Sequence, residues 1–299
     1  MKRAKKKPER GTKIKILSWA LGIFVLSFLL IFMIGSNRSK NGLETDRGQK
    51  INVLITGMDN DGLRTDFLMA ASLDTKEKKV NALLIPANTK MYVGGKYQKI
   101  SAAHALFQNG RAKGINGTIE AVSRLSAIPF NCYVEFSQSD FSKLIDSLGG
   151  VEFDITEDLK YTDPTQDLKI DIKKGHHLLD GEDAQKLFRY ESYKSGKSER
   201  NITQKKLLEA LVNQKFSPKY IQKAADFAKN SDIETNLKVK DIISYSNILL
   251  GVNRDDINFF ICPGKSEGDY WIADTEALGE MITEVFGYDA QGITTDKIK

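Results

Sequence analysis

The feature that most constrains this chain is the run from Ile16 to Gly35 (ILSWALGIFVLSFLLIFMIG), which carries no charge. Such a run, about twenty residues rising 1.5 Å each, forms a helix long enough to cross the ~30 Å hydrocarbon core of a bilayer. Its flanks are unequal. Lys2, Arg3, Lys5, Lys6, Lys7, Arg10, Lys13 and Lys15 precede it against one acid, Glu9. Arg38, Lys40, Arg47 and Lys50 follow it, diluted by Glu44 and Asp46. The positive-inside rule therefore predicts a cytoplasmic N-terminus and an external domain. A cleaved signal peptide is the rival reading, but its apolar core is shorter and ends at a small-x-small site. Met33-Ile34-Gly35-Ser36 matches that poorly. The expected order is a basic cytoplasmic tail (1–15), a transmembrane helix (16–35) and a polar, turn-rich tether (36–50) in a single-pass cell-membrane protein.

The net charge of +5 invites a nucleic-acid reading. Residues 1–40 hold ten of the 44 Lys and Arg and one of the 39 acids, leaving 34 basic and 38 acidic residues beyond them. The external part is thus slightly acidic, and no nucleic-acid partner is expected. Two cysteines, Cys132 and Cys262, lie in apolar strand-like runs (NCYVEF and INFFIC) and read as small buried hydrophobes; a disulfide would need those strands to be neighbours.

Beyond the tether, INVLIT (51–56) reads as a buried strand, and FLMAASL (67–73) and KVNALLIP (79–86) as a hairpin about a charged turn. Helices are expected over 115–127, 139–150, 181–190, 202–215, 219–229, 239–250 and 274–286. Ser139 is the candidate N-cap of the second, which carries the stripe Phe141, Leu144, Ile145, Leu148. CYVEF, VEFDI and INFFIC (257–262) read as strands, 156–180 as a loop or lid, and the chain from Asp289 as frayed. Alternating elements with one hairpin predict a three-layer α/β/α domain with a central mixed sheet over 51–288, preceded by one transmembrane helix.

The chemistry concentrates just after the first strand, in Gly57-Met58-Asp59-Asn60-Asp61-Gly62-Leu63-Arg64-Thr65-Asp66. Carboxylates beside a guanidinium at a strand end suit a divalent cation next to a phosphate; the plainer alternative is a solvated polar turn. His176 and His177 read as turn surface. A Ser-His-Asp hydrolase would need His104 as its base, and no candidate serine stands out.

Several stretches, taken in order, resemble the LytR-CpsA-Psr family of cell-envelope proteins. These are NVLITGMDNDGLRTDFLMAASLDTKEKKVNALLIP, KISAAHALFQNG, YVEFSQSDFSKLIDSLGGVEFDI, GHHLLDGEDAQKLFRYES with ERNITQKKLLEAL, and GDYWIADTEALGEMI. The resemblance implies a magnesium-dependent phosphotransferase. Such a protein moves a glycopolymer from a polyprenyl diphosphate to peptidoglycan in the Gram-positive envelope, with the lipid tail in an apolar tunnel. Carried over by motif, Asp59 and Asp66 are the metal-side carboxylates. Arg64, Arg189 and Arg200 contact phosphate as catalytic residues supported by Lys99, and Gln204 binds the head group.

The chain departs from the family's pattern in places. The family's Pro-Arg-Asp-Thr reads Pro86-Ala87-Asn88-Thr89, its Arg-x-Arg reads Arg189-Tyr190-Glu191, and its Asp-x-x-Arg reads Lys197-Ser198-Glu199-Arg200. Losing a charge-assisted contact at a transferring phosphate costs on the order of 3–4 kcal/mol, a rate factor of ~10² or more. Lys90 and Lys96 are the nearest substitutes in sequence. The alternative expectation is a catalytically impaired relative that binds polyprenyl-linked polymer, or a partner, in envelope regulation or assembly. A transcription factor is disfavoured, since the folded domain would lie across the membrane from DNA.

Overall fold

The computed structural model describes residues 50–296 apart from 60, 109–110, 164–167, 229–230, 232, 238–247 and 249–250. The expected transmembrane helix, nearly all of the tether and most of the expected helix 239–250 lie outside those residues. Among the described residues no helix is long and apolar enough to cross a membrane.

Strands β1 (Lys50–Met58), β2 (Thr65–Asp74) and β3 (Lys79–Leu84) form an antiparallel meander whose second turn is the expected hairpin. Two small hairpins follow, β4 (Lys90–Val93) with β5 (Lys96–Lys99) and β6 (Phe107–Gln108) with β7 (Arg111–Ala112), then helix α1 (Ile115–Ser126). Strand β8 (Cys132–Phe136) returns parallel to β1. Helix α2 (Gln138–Ser147) leads to β9 (Val151–Ile155), β10 (Leu159–Asp163), β11 (Leu168–Ile172) and β12 (Gly175–Leu179). Helices α3 (Gly181–Arg189), α4 (Glu199–Lys215) and α5 (Pro218–Ala228) follow. The chain ends with β13 (Glu234–Thr235), β14 (Ile257–Ile261), the hairpin of β15 (Gly264–Glu267) and β16 (Tyr270–Ala273), and α6 (Thr275–Met281).

The central sheet runs β13-β8-β1-β2-β3-β14, with β8 parallel to β1 and β14 parallel to β3, so it is mixed as expected. Its strands read as continuous apolar runs because both faces are covered. Successive side chains alternate between faces. Val53 and Ile55 join one core with Leu144, Leu187 and Leu207; Leu54 joins the other with Leu125, Ile282 and Phe286. Helices thus flank both faces in three layers.

The segment 156–180, expected to be a loop or lid, forms β10, β11 and β12 among its described residues. Leu159, Ile170, Ile172 and Leu179 reach the first core while charged neighbours face outward. The N-cap of α2 is Ser137 and not Ser139. Its hydroxyl accepts from the Asp140 amide at 3.1 Å, and Asp140 Oδ2 accepts from the Ser137 amide at 3.0 Å. Such a reciprocal capping box stabilises a helix start by about 1 kcal/mol. The end expected to fray is packed: Ala290 and Ile293 lie against the second core, and Tyr92 N–H donates to the Thr295 carbonyl at 2.7 Å. His176 is exposed and His177 half-buried, and both lie on β12 rather than in a turn.

Cys132 on β8 and Cys262 just past β14 are buried free thiols, as expected. Three strands, β1, β2 and β3, lie between theirs in the sheet. At ~4.8 Å per strand the separation is about 19 Å, far beyond disulfide reach.

Candidate functional site

Seven separate segments converge at one end of the sheet on a pocket of about 700 Å³. Asp59 and Arg64 come from the turn between β1 and β2, Asp66 from the second position of β2, and Lys99 from the end of β5. Arg189 ends α3, and Arg200 and Gln204 lie in the first turns of α4. All seven residues assigned a role in the sequence line this pocket.

The turn is shaped by its own polar groups. Asp59 Oδ1 accepts from the amides of Leu63 and Arg64 at 3.0 and 3.2 Å, and Asp59 N–H donates to the Arg64 carbonyl at 2.9 Å. Gly62 takes φ +65, which glycine adopts without strain. The result is a tight loop that turns Asp59 and Arg64 into the pocket rather than a featureless solvated turn. Asp66 begins β2 and accepts from Gln138 Nε2 at 2.7 Å; Gln138 in turn accepts from Gln185 at 2.9 Å. Burial pushes the Asp66 carboxyl above the usual carboxylate range and Asp59 adds to this, against the opposing pull of Arg200 and Arg189.

Arg200 and Gln204 are four residues apart and so share one face of α4. Both reach the Phe188 carbonyl in the last turn of α3, Arg200 Nε at 3.3 Å and Gln204 Nε2 at 2.9 Å. Carbonyls at a helix end lack partners within the helix and carry its negative pole, so an arginine there is favourable. Arg200 also donates to the Asp66 carbonyl at 3.4 Å and pairs with Glu191. The amide of buried Gln204 is therefore used in fixing α3 as well as lining the pocket.

Other residues complete the walls. Ala87 and Asn88, where the family pattern has arginine and aspartate, both line the pocket. Lys90 and Lys96 do not; Lys90 sits over the rings of Tyr97 and Tyr270 at 5.6 and 5.7 Å. Besides Lys99, the lysine that reaches the pocket is Lys197, paired with Asp269 at 2.5 Å across the mouth. Asn88 anchors the β15–β16 turn by donating to the Asp269 carbonyl at 3.2 Å. Among the described lining residues, five cations (Arg64, Lys99, Arg189, Lys197, Arg200) face five carboxylates (Asp59, Asp61, Asp66, Glu191, Asp269).

Behind the polar pocket lies a small apolar cavity of about 30 Å³, sharing Asp66, Gln138, Arg189 and Arg200 with it. Its other walls include Phe67, Phe136, Phe141 and Phe188, whose adjacent ring centroids lie 5.1 to 6.4 Å apart. That volume holds about one water.

Among the described residues no three His, Cys, Asp or Glu side chains converge into a preformed metal cage. Mg²⁺ does not need one: one or two carboxylates, with phosphate oxygens and waters, make its usual shell. Asp59 and Asp66 fit that requirement; the half-buried Asp66 carboxyl, whose charged form is disfavoured by desolvation, would gain from an added cation.

The profile of the LytR-CpsA-Psr family matches residues 33–286. The chain belongs to this family. Among LytR-CpsA-Psr relatives, the polyisoprenyl-teichoic acid–peptidoglycan teichoic acid transferase TagV of Bacillus subtilis (strain 168) is 29% identical over 210 residues. That alignment takes in 68% of this chain and 52% of TagV, so the chain spans about half the length of that relative. The corresponding TagU of Bacillus cereus (strain ATCC 14579) is 27% identical, with 91% of this chain and 96% of TagU covered. The crystal structure of B. subtilis TagV matches with a TM-score of 0.62 at 25% identity, covering 81% of this chain and 99% of that one.

The sequence did not point to Gln138, Ser101 or Asp269, which complete the LytR-CpsA-Psr pocket here. Gln138 carried no local signal, because its partner Asp66 lies 72 residues away.

Proposed function

We propose that this chain transfers a glycopolymer from a polyprenyl diphosphate carrier to peptidoglycan, forming a phosphodiester. The proposal includes a single-pass anchor, residues 16–35, holding the domain at the outer face of the cell membrane. The observation that carries it is the convergence of Arg64, Arg189 and Arg200 on the Asp59 and Asp66 carboxylates in one pocket. The relatives named as teichoic acid transferases support the same reading.

In this reading the acceptor hydroxyl attacks the phosphorus that bears the glycan. A new P–O bond forms as the bond to polyprenyl phosphate breaks, and the hydroxyl proton leaves through the open mouth. Phosphoryl transfer depends mainly on positioning and charge neutralisation, so the protein needs no covalent nucleophile. Arg64, Arg189 and Arg200 grip the diphosphate oxygens and Lys99 adds charge at the rim. Asp59 and Asp66 hold Mg²⁺, which when bound neutralises the phosphate oxygens. The first isoprene units part the rings of Phe67, Phe136, Phe141 and Phe188, and Gln204 steadies the end of α3 that presents Arg189.

The test is incubation of the purified full-length chain with a polyprenyl-diphosphate saccharide, Mg²⁺ and peptidoglycan. Release of polyprenyl phosphate together with glycan linked to the wall is expected, and Arg200→Ala is expected to slow it ~10²-fold or more. Undiminished lipid binding with no turnover would overturn the transferase reading in favour of a binding role.

A further inference from the structure

Two glutamines outside the charged set stand behind the Asp66 carboxylate. Gln138 is the first residue of α2, and its backbone is fixed by the capping box at Ser137. Gln185 lies one turn beyond Gly181 on α3, on the face that meets α2. That crossing is close, and the Gly181 amide donates to Asp146 Oδ1 at 2.7 Å, so α3 sits on α2 in one register. The register brings the two side chains together. Gln185 Nε2 donates to Gln138 Oε1 at 2.9 Å, and Gln138 Nε2 donates to Asp66 Oδ2 at 2.7 Å.

The direction of this chain of bonds is forced. An ionised carboxylate only accepts, so Gln138 must offer it the amide, which turns the Gln138 carbonyl toward Gln185. Gln185 must then offer its own amide. Neither side chain flips freely, because both line the small cavity walled by Phe67, Phe136, Phe141 and Phe188. A mismatched amide beside those rings loses its bond and stays partly desolvated, which is costly.

We propose that Gln185 and Gln138 form a one-way relay that positions Asp66 for metal: Gln185 sets which face of the Gln138 amide is offered, and that amide holds Oδ2 so that the carboxylate is oriented before a cation arrives. Both are positioning residues that act through Asp66. Gln138 reaches the pocket wall, and Gln185 does not. Partners of this kind behind a metal ligand are worth roughly 10–100-fold in affinity. Asp59 is ordered differently, by the Leu63 and Arg64 amides of its own turn at 3.0 and 3.2 Å. A change confined to position 185 therefore reaches one of the two carboxylates alone. That Asp66 holds a cation rests on the proposed function; the relay itself rests on the two bonds.

Polarity at position 185 should matter more than volume. At about pH 8 an introduced glutamate is ionised and only accepts. Gln185→Glu is then expected to turn the Gln138 amide away from Asp66. The Mg²⁺ concentration for half-maximal binding of inorganic pyrophosphate, read by calorimetry on the full-length chain, should rise about tenfold. The added negative charge alone would attract Mg²⁺ and lower that requirement. Gln185→Met leaves the Gln138 amide undirected but not reversed, and should raise the requirement only about threefold. Gln138→Met should match Gln185→Glu and serves if the latter does not fold, melting temperatures being recorded for each. In NMR of the full-length chain labelled at the glutamine side-chain amides, the Gln138 signal is identified by its loss in Gln138→Met. It should lie downfield in wild type and move upfield in Gln185→Glu. A signal unmoved by Gln185→Glu, an equal Mg²⁺ requirement in Gln185→Met and Gln185→Glu, or no rise in Gln138→Met overturns the relay. Pyrophosphate that fails to bind wild type while the signal moves as expected counts against the transferase reading and leaves the relay standing.

Discussion

The guanidinium of Arg200 is shared among the Glu191 carboxylate and the carbonyls of Phe188 and Asp66. A phosphate arriving at Arg200 must displace Glu191, which is 52% exposed and gives up little by returning to water. Glu191→Gln is expected to tighten binding of farnesyl diphosphate by about 1 kcal/mol, roughly fivefold, as measured by calorimetry. Unchanged or weaker binding would show that the pair does not compete with ligand. Asp66 poses the opposite problem. Burial raises its carboxyl, so the stability it allows is present at low pH and is lost as pH rises through its folded value. Asp66→Asn, which can still accept from Gln138, is expected to melt higher than wild type at pH 7, with the gap closing as pH falls. Its Mg²⁺-dependent pyrophosphate affinity should drop roughly tenfold or more. A variant that melts lower at pH 7 would contradict this account of Asp66.

Helix α3 carries Arg189 at its end and depends on a glycine at its start. A Cβ on Gly181 would meet the Ser142 carbonyl of α2 at 2.0 Å, and the Gly181 amide donates to Asp146 Oδ1 at 2.7 Å. Gly181→Ala is therefore expected to force α3 off α2, costing about 1–3 kcal/mol in denaturant unfolding, and to move Arg189. Wild-type stability in that variant would refute the close crossing. At this scale much was legible in the sequence. INVLIT, CYVEF and INFFIC are apolar enough to announce buried strands, and the Phe141-Leu144-Ile145-Leu148 stripe announces α2. The strands β10 and β11 were not legible, because LKYTD and LKIDI put single apolar residues between charges and bury one face only. The packed C-terminus escaped for a similar reason, resting on isolated Ala290 and Ile293 in a polar run. In the site, the turn at 57–66 announced itself because its groups are neighbours in sequence. Gln138, Lys197 and Asp269 did not, because their relevance arises only once the chain folds.

At the scale of the whole molecule, the proposal joins the domain to an anchor at 16–35 with a basic tail inside. Protease added to intact protoplasts is expected to digest the domain and spare a tag placed at the N-terminus, and carbonate washing should leave the chain in the membrane. A domain digested only after lysis would reverse the topology. The balance of charge in the pocket has a further consequence. Five cations facing five carboxylates cast almost no net field beyond a Debye length of ~8 Å, so the pocket does not draw anions from afar. In the proposed arrangement, capture of a carrier lipid then depends on collision within the plane of the membrane. Two-dimensional confinement by the proposed anchor would do for this site what long-range attraction does for an arginine-rich one, with little competition from free phosphates in the surrounding medium.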